Sequence, residues 1–213
     1  MPRKIISLLL ICFIQNTMFS QTNNTDTTGW LSLFDGKSLT NWKINENEAT
    51  FSIEDGAIKV NGNISHIFYD GPVNNHEFKD FEFRALVKTT KGSNSGIYFH
   101  TQFQPKGFPA YGYEVQVNNS HTDWRRTGSL YAVQDVREVY VNDNEWYTEY
   151  ISVKGKHIMV KINDRVVVDY VEPEGIENTK DRSKKHISSG TFALQGHDPG
   201  STVYYKEIFV KPL

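Results

Sequence analysis

The chain has 213 residues, a formal net charge of −2 and a single cysteine. With 23 Lys and Arg against 25 Asp and Glu, it lacks the basic excess that attracts phosphate backbones, which argues against nucleic acid as a partner. The length suits one hydrophobic core, so we expect a single folded domain.

The first 20 residues have the composition of a secretory signal peptide. Two basic residues begin it, the apolar run 5–14 follows, and the small residue Ser20 stands at its end. The apolar run is shorter than the roughly 20 residues that span a bilayer. We therefore predict an exported protein, periplasmic or extracellular, cleaved between Ser20 and Gln21 and without a membrane span after cleavage.

The cysteine, Cys12, lies inside this apolar run. Ile11 precedes it where a lipid-attachment signal would have a small residue, so we do not expect a lipoprotein. Loss of Cys12 with the signal peptide would exclude disulfides, cysteine nucleophiles and thiolate metal sites. The polar residues 21–28 predict a flexible leader before one domain at 29–213.

From Trp30 onward, short apolar segments alternate with turn signals. Asp-Gly and Asn-Gly pairs recur, and the segments 51–53 and 57–60 on either side of one pair predict a hairpin. Alternating apolar and polar residues predict further strands at 81–88, 113–118, 147–153, 157–162 and 202–210. Residues 172–186 form one long polar loop with room for a helical turn. The pattern predicts an all-β jelly-roll sandwich.

Three predicted strands, 94–102, 113–118 and 191–197, carry related polar side chains on the face opposite their apolar one. The positions on that face are Asn94, Gly96, Tyr98, His100, Gln102, Glu114, Gln116, Asn118, Ala193, Gln195 and His197. A solvated sheet face is the alternative explanation, but such faces usually carry Lys, Glu and Thr. Amides and imidazoles around one carboxylate favour a concave site for a hydroxyl-rich ligand.

The aromatic content, with 11 Tyr, 13 Phe and 4 Trp, has two explanations. Aromatic residues favour β-sandwich cores, and they also stack on sugars. We predict a sugar platform at Trp124, whereas Trp30, Trp42 and Trp146 are expected to pack in the core.

Six segments, in this order, resemble motifs of the 3-keto-disaccharide hydrolase domain family, long catalogued as a domain of unknown function: 29–39 with Trp42, 94–99, 112–116, 127–131, 144–146 and 194–197. The resemblance extends from Gly29 to Val210. It implies a concanavalin A-like jelly roll in exported proteins of glycan-degrading bacteria. It also implies cleavage of glycosides that already carry a ketone at sugar carbon 3.

Such a ketone acidifies the proton on carbon 2. A base can then remove this proton, the leaving group departs from carbon 1, and water adds to the resulting enone. The site needs a base, a group that holds the enolate and an acid for the leaving oxygen. No oxocarbenium ion forms, so the usual pair of carboxylates is not required.

On this resemblance we assign Glu114 as the base or a metal ligand and His197 as the acid/base partner, with Tyr131 and His100 near the enolate. The residues predicted to bind the substrate are Asn94, Tyr98, Gln116, Asn118, Trp124, Arg126, Gln195 and Lys206. A divalent metal held by Glu114 and a histidine is an open alternative, although no close-spaced ligand motif indicates one. His121, in a loop, is expected to be solvated.

The chain departs from the family pattern at three positions. His100 and Lys206 stand where the family commonly has arginine, and Asn118 stands where it has aspartate. Arginine holds oxyanions bidentately, which neither histidine nor lysine reproduces; Arg125 and Arg126 are the loop cations that could replace it. These departures favour a second hypothesis, a non-catalytic carbohydrate-binding module on the same fold. A structural surface protein without a ligand is the third.

Overall fold

The structure, a computed structural model, describes residues 28–213. The predicted signal peptide and nearly all of the predicted leader lie outside the described residues. The described strands are β1 (Leu31–Ser32), β2 (Trp42–Ile44), β3 (Phe51–Glu54), β4 (Ala57–Val60), β5 (Ser65–Tyr69), β6 (Phe81–Thr89), β7 (Ser95–Thr101), β8 (Tyr113–Val117), β9 (Tyr147–Lys154), β10 (His157–Ile162), β11 (Arg165–Val171), β12 (Thr191–Gly196) and β13 (Val203–Pro212). Short 3-10 turns occupy Glu48–Thr50, Val73–His76 and Ile176–Asn178.

The strands form two antiparallel sheets. The larger sheet has eight strands in the order β11-β10-β9-β6-β13-β4-β3, with β1 paired to the far end of β13. The smaller sheet has five strands in the order β2-β5-β12-β7-β8. Successive strands such as β6 and β7 belong to different sheets, as in a jelly roll. The predicted all-β, concanavalin A-like jelly-roll sandwich is confirmed.

The core lies between the sheets and follows from strand alternation. Along β6, Phe81 and Phe83 point inward together with Ala85 and Val87, and all four are buried. The ring of Phe192, from β12 of the other sheet, packs 4.9 Å from Phe81 and 4.7 Å from Phe83, between ring centroids. Burial of each such ring contributes on the order of 2 kcal/mol. This packing fixes the smaller sheet on the larger one.

The predicted hairpin, the long loop and the tryptophans can be located in this fold. The predicted hairpin is β3 and β4, and the long loop 172–186 contains one 3-10 turn. Trp30 and Trp42 are buried, as expected, but the prediction for Trp146 is wrong. Trp146 precedes β9 on the outer side of the larger sheet, where the ammonium groups of Lys88 and Lys206 lie over its ring. Within residues 28–213, no helix has the length and hydrophobicity to cross a membrane.

Candidate active site

A cavity of about 470 Å³ lies on the face of the smaller sheet that points away from the core. This volume is within the range of small-molecule sites. Strands β7, β8 and β12 and their ends contribute Asn94, Tyr98, Tyr113, Glu114, Gln116, Gln195 and His197. Loops contribute the other walls: Phe108, Pro109 and Gly112; Asp123, Tyr131, Ala132 and Val133; and Asp181, Arg182 and Lys185.

Glu114 is held between two neighbours on adjacent strands. Tyr98, opposite Glu114 in the β7–β8 ladder, donates its hydroxyl to Glu114 Oε2 at 2.7 Å. The side-chain amide of Gln195, on β12, donates to Glu114 Oε1 at 2.8 Å and lies 3.0 Å from the Tyr98 hydroxyl. Both carboxyl oxygens therefore have a fixed donor, which sets the orientation of the carboxyl group in the cavity.

This arrangement depends on Gly96, a residue of β7 that lies beside Glu114 of β8. A Cβ atom at position 96 would lie 2.4 Å from Glu114 Oε1, far inside van der Waals contact. Glycine leaves the space that the carboxyl group occupies.

Burial raises the pKa of Glu114 to about 7. The hydrogen bonds from Tyr98 and Gln195, and then the positive charges of Lys185 and His197, oppose this rise without cancelling it. Near neutral pH a substantial share of the Glu114 side chain is therefore ionised, and it is a stronger base than an ordinary carboxylate. A general base is most effective when its pKa lies near the working pH.

A second polar group lies beside Glu114. Gln116 donates to Asn94 Oδ1 at 2.7 Å, and the Asn94 amide is 3.3 Å from His121 Nδ1. At the end of β12, His197 Nδ1 is 2.8 Å from a carboxylate oxygen of Asp198. Because this contact engages Nδ1, His197 is left with Nε2 as the nitrogen that can exchange a proton with a ligand.

His121, His197 and Asp198 form a cluster with potential metal ligands, their ligand atoms within 4.8 Å of one another. Imidazole and carboxylate groups suit first-row divalent metals. His121 Nδ1 already accepts the backbone N–H of Asp123 at 3.1 Å, which leaves Nε2 as the nitrogen of His121 that could bind a metal. Glu114, predicted as a metal ligand with a histidine, is not a member of the cluster.

The structure brings these predicted site residues together around the cavity: Asn94, Tyr98, Glu114, Gln116, Tyr131, Gln195 and His197. Their roles remain predictions. It places the other predicted residues, namely His100, Asn118, Trp124, Arg126 and Lys206, outside the cavity lining.

His100 lies outside the cavity because β7 does not alternate to its end. The pairing of β7 with β12 shifts register between Thr191 and Ala193, and His100 has a φ of 54°. The bulge turns the imidazole towards the core edge, where Nε2 donates to the Lys79 carbonyl at 2.8 Å and Nδ1 accepts the Ser188 N–H at 3.2 Å. Burial lowers the pKa of His100 to about 4. His100 therefore does not line the cavity, and its place near the enolate stays a prediction.

Asn118 and Arg126 hold a loop instead of a ligand. Asn118 follows the last residue of β8, and its amide donates to the carbonyls of Asp123 at 2.9 Å and Arg125 at 2.7 Å. Arg126 donates to Asn118 Oδ1 at 3.1 Å and to the carbonyls of His121 at 2.8 Å and Asp123 at 2.9 Å. Together they fix the loop that carries His121 and Asp123.

Trp124 and Lys206 also lie away from the cavity. Trp124 is 40% exposed, and the guanidinium groups of Arg125 and Arg137 lie 4.7 and 4.1 Å from the centre of its ring. Lys206 is on β13 of the larger sheet, with its ammonium group 4.2 Å from the centre of the Trp146 ring. The cationic side chains in the cavity lining are those of Arg182 and Lys185.

Sequence reasoning missed Arg182 and Lys185, which reach the cavity from the long loop 172–186. Arg182 donates to the Tyr113 hydroxyl at 2.8 Å, and that hydroxyl in turn bonds to the buried carboxylate of Glu172. The length of the loop was the available signal, since long structureless loops in compact domains are often functional. The sequence pattern did not show which face of the sandwich the loop covers.

A family described as "3-keto-alpha-glucoside-1,2-lyase-like domain" matches residues 29–211. A protein of Bacteroides thetaiotaomicron named "3-keto-disaccharide hydrolase" is 29% identical over 172 residues, 68% of this chain and 59% of that protein. The chain thus spans about three fifths of the length of this relative.

Solved structures show the same fold. A provisional glycosyl hydrolase from Parabacteroides distasonis has a TM-score of 0.71 at 24% identity, covering 87% of this chain and 94% of its own. The carbohydrate-binding module CBM66 from Bacillus subtilis has a TM-score of 0.57 at 14% identity, covering 81% of this chain and 96% of its own. At these identities the likeness concerns architecture alone.

Proposed function

Since the chain belongs to the family of 3-keto-alpha-glucoside-1,2-lyase-like domains, we propose that it is an enzyme that cleaves glycosides oxidised to a ketone at carbon 3. The observation that carries the proposal is Glu114, a single carboxyl group with a pKa raised to about 7, positioned in a cavity by Tyr98 and Gln195. The name of the Bacteroides relative, a 3-keto-disaccharide hydrolase, points to the same class of substrate.

In the first step Glu114 removes the proton from carbon 2 of the oxidised ring. The electron pair of the broken C–H bond forms the carbon 2–carbon 3 double bond, and the ketone oxygen becomes an enolate. The fixed donors of Tyr98 and Gln195 hold the carboxyl group, so the base does not need to reorient before it reacts.

The enolate needs a positive or hydrogen-bonding neighbour. Arg182, Lys185 and the Tyr131 hydroxyl line the cavity and supply both kinds of group. These loop cations supply the positive charge from another element than position 100, where the family pattern has an arginine. The loss of that arginine is therefore compatible with catalysis.

In the second step the enolate returns its electrons to the ring. The ketone re-forms, a double bond forms between carbons 1 and 2, and the bond from carbon 1 to the leaving oxygen breaks. The leaving oxygen takes a proton, for which we propose His197 as donor through Nε2, with Asp198 holding its other nitrogen. Water then adds its hydroxyl to carbon 1 and gives its remaining proton to His197, while carbon 2 regains a proton from Glu114.

The test is turnover of 3-keto-glucosides and their unoxidised parents by the purified protein and its Glu114→Gln variant. We expect release of the leaving group from the keto forms alone, and its loss in the variant by at least about 10²-fold, since a general base contributes about that much. Glu138→Gln, at an exposed position outside the cavity, is the matched control and should keep full activity.

Full activity of Glu114→Gln would remove Glu114 from the mechanism. Binding of a glycan without release from any keto sugar would instead establish the carbohydrate-binding module as the function.

A further inference from the structure

His66 is a buried histidine on the cavity side of the smaller sheet. It lies on β5, opposite Gln195 in the ladder between β5 and β12. Its side chain is fully buried, and neither ring nitrogen has a hydrogen-bond partner. A neutral imidazole offers one donor and one acceptor, and burying both unpaired costs free energy. Packing alone would be served better by an apolar residue.

Three aromatic rings surround His66. The Tyr98 ring lies 5.5 Å away and the Phe108 ring 5.2 Å away, both edge to face, and the Phe68 ring is 6.4 Å away. Tyr98 and Phe68 are buried parts of the sheet, whereas Phe108 is 45% exposed. Phe108 is therefore the movable part of the cover over His66.

Phe108 also separates the cavity from a neighbouring cleft. The cleft has a volume of about 600 Å³, and both Phe108 and His197 belong to its wall and to the wall of the cavity. Its other side chains are amides, carboxylates and two apolar groups: Asn47, Asn63, Glu46, Asp198, Pro199 and the 43% exposed Ile64. Amides and carboxylates beside an exposed aromatic ring suit a hydroxyl-rich ring.

The loop that carries Phe108 is braced mainly by its own contacts. Gln104 bonds to the carbonyls of Lys106 and Phe108 and accepts the N–H of Ala110. Towards the rest of the chain, the Gly107 N–H donates to Glu46 at 3.0 Å. The Phe108 ring can thus rotate away from His66 while the loop stays in place.

We propose that the cavity and the cleft form one two-unit binding site, in which the second sugar unit occupies the cleft and Phe108 and His66 select for it. The oxidised ring lies at Glu114. The Phe108 ring turns from His66 onto the second unit, and the uncovered imidazole hydrogen-bonds to one of its hydroxyl groups. This assignment rests on the proposed function, because it takes the oxidised ring to be the one beside Glu114.

The test compares two substrates, a 3-keto-disaccharide and the methyl 3-keto-glucoside of the same anomeric configuration. His66→Leu should lower kcat/KM for the disaccharide about tenfold more than for the methyl glycoside, the effect of one lost hydrogen bond to a buried partner. Phe108→Ala should likewise lower kcat/KM more for the disaccharide than for the methyl glycoside. His66→Leu should also unfold at the same or a higher urea concentration than wild type, since it removes two unpaired polar atoms.

His157→Leu, the same substitution on β10 of the larger sheet and outside both the cavity and the cleft, is the matched control and should leave the ratio of the two substrates unchanged. A ratio unchanged in His66→Leu, or equal losses on both substrates, would overturn the inference.

If the wild-type protein turns over neither substrate, the proposed function fails, and the two-unit site is then tested by calorimetry with the unoxidised disaccharide. About tenfold weaker binding to His66→Leu than to wild type would support the site, and equal binding would overturn it.

Discussion

At Glu114, burial raises the pKa to about 7 although Tyr98 and Gln195 donate to both carboxyl oxygens. Hydrogen bonds of this kind normally favour the charged form, so the desolvation of the cavity outweighs them. The same environment gives the Glu114 carboxyl group a pKa near neutral pH and fixes the direction of its lone pairs.

This environment predicts a pH-dependent cost in stability. The pKa of Glu114 is about 7 in the folded chain and 4.5 for the ordinary group, so between these values the folded state binds the extra proton. Stability contributed by Glu114 is therefore lost as the pH rises from about 4.5 to 7, by at most about 3 kcal/mol. We expect Glu114→Gln to be more stable than wild type at pH 8 and close to it at pH 4, in urea denaturation. If the free energies of unfolding of variant and wild type differed by the same amount at both pH values, the raised pKa of Glu114 would be contradicted.

Comparison with wild type at each pH is necessary because a second carboxyl group has a raised pKa. Glu149, on β9, is fully buried in the core without a hydrogen-bond partner, and burial raises its pKa well above the ordinary value. It titrates in wild type and variant alike, so the difference between them reports on Glu114 alone. Glu149 also shows that a raised pKa does not by itself mark a site, since it lines neither the cavity nor the cleft.

At the scale of the strands, the candidate site depends on how closely β7 and β8 approach. Gly96→Ala would place a methyl group 2.4 Å from the present position of Glu114 Oε1, so the carboxyl group must move. We expect kcat for a 3-keto-glucoside to fall about 10²-fold, the cost of a misplacement near 1 Å, with a smaller change in KM. The measurement is steady-state kinetics, with circular dichroism to confirm the fold. Unchanged kcat would mean that the position of Glu114 does not matter.

Strand alternation is what made much of this site predictable. The strand pattern placed Tyr98, Glu114, Gln116 and Gln195 on one face, and the structure brings them together. It failed where alternation ends: at His100 because of the bulge in β7, and at Asn118 because β8 stops one residue earlier.

The other misses concern long-range placement. Lys206 is on a strand of the larger sheet, on the outer face that Trp146 also occupies, and the sequence pattern alone did not assign strands to sheets. Arg182 and Phe108 come from loops whose path depends on tertiary contacts such as the bond from Gly107 to Glu46. His66 has no distinguishing neighbour in the sequence, since its importance lies in the absence of a hydrogen-bond partner.

At the scale of the molecule, the two sheets have different tasks. The larger sheet supplies the inner face on which the aromatic core packs, with Phe81 and Phe83 against Phe192. The smaller sheet, held by that core, presents its other face to the cavity. The loops that contain Phe108, Tyr131 and Arg182 cross this open face and enclose it. A rigid sandwich thus positions Glu114, the proposed base, and the loops supply the cations and the aromatic wall.

The central claim is removal of the proton on carbon 2, and the most direct measurement is the reaction of a 3-keto-glucoside in D₂O followed by NMR of the product. Elimination and hydration predict deuterium at carbon 2 of the released 3-keto sugar, present as soon as the leaving group appears. Incubation of the protonated product with the protein in D₂O measures any exchange after release. Because Glu114 can return the proton that it removed, the release rate is also compared in a single turnover for substrates with protium and with deuterium at carbon 2. A product that keeps its original proton, together with equal release rates for the two substrates, would show direct displacement at carbon 1 and contradict the mechanism.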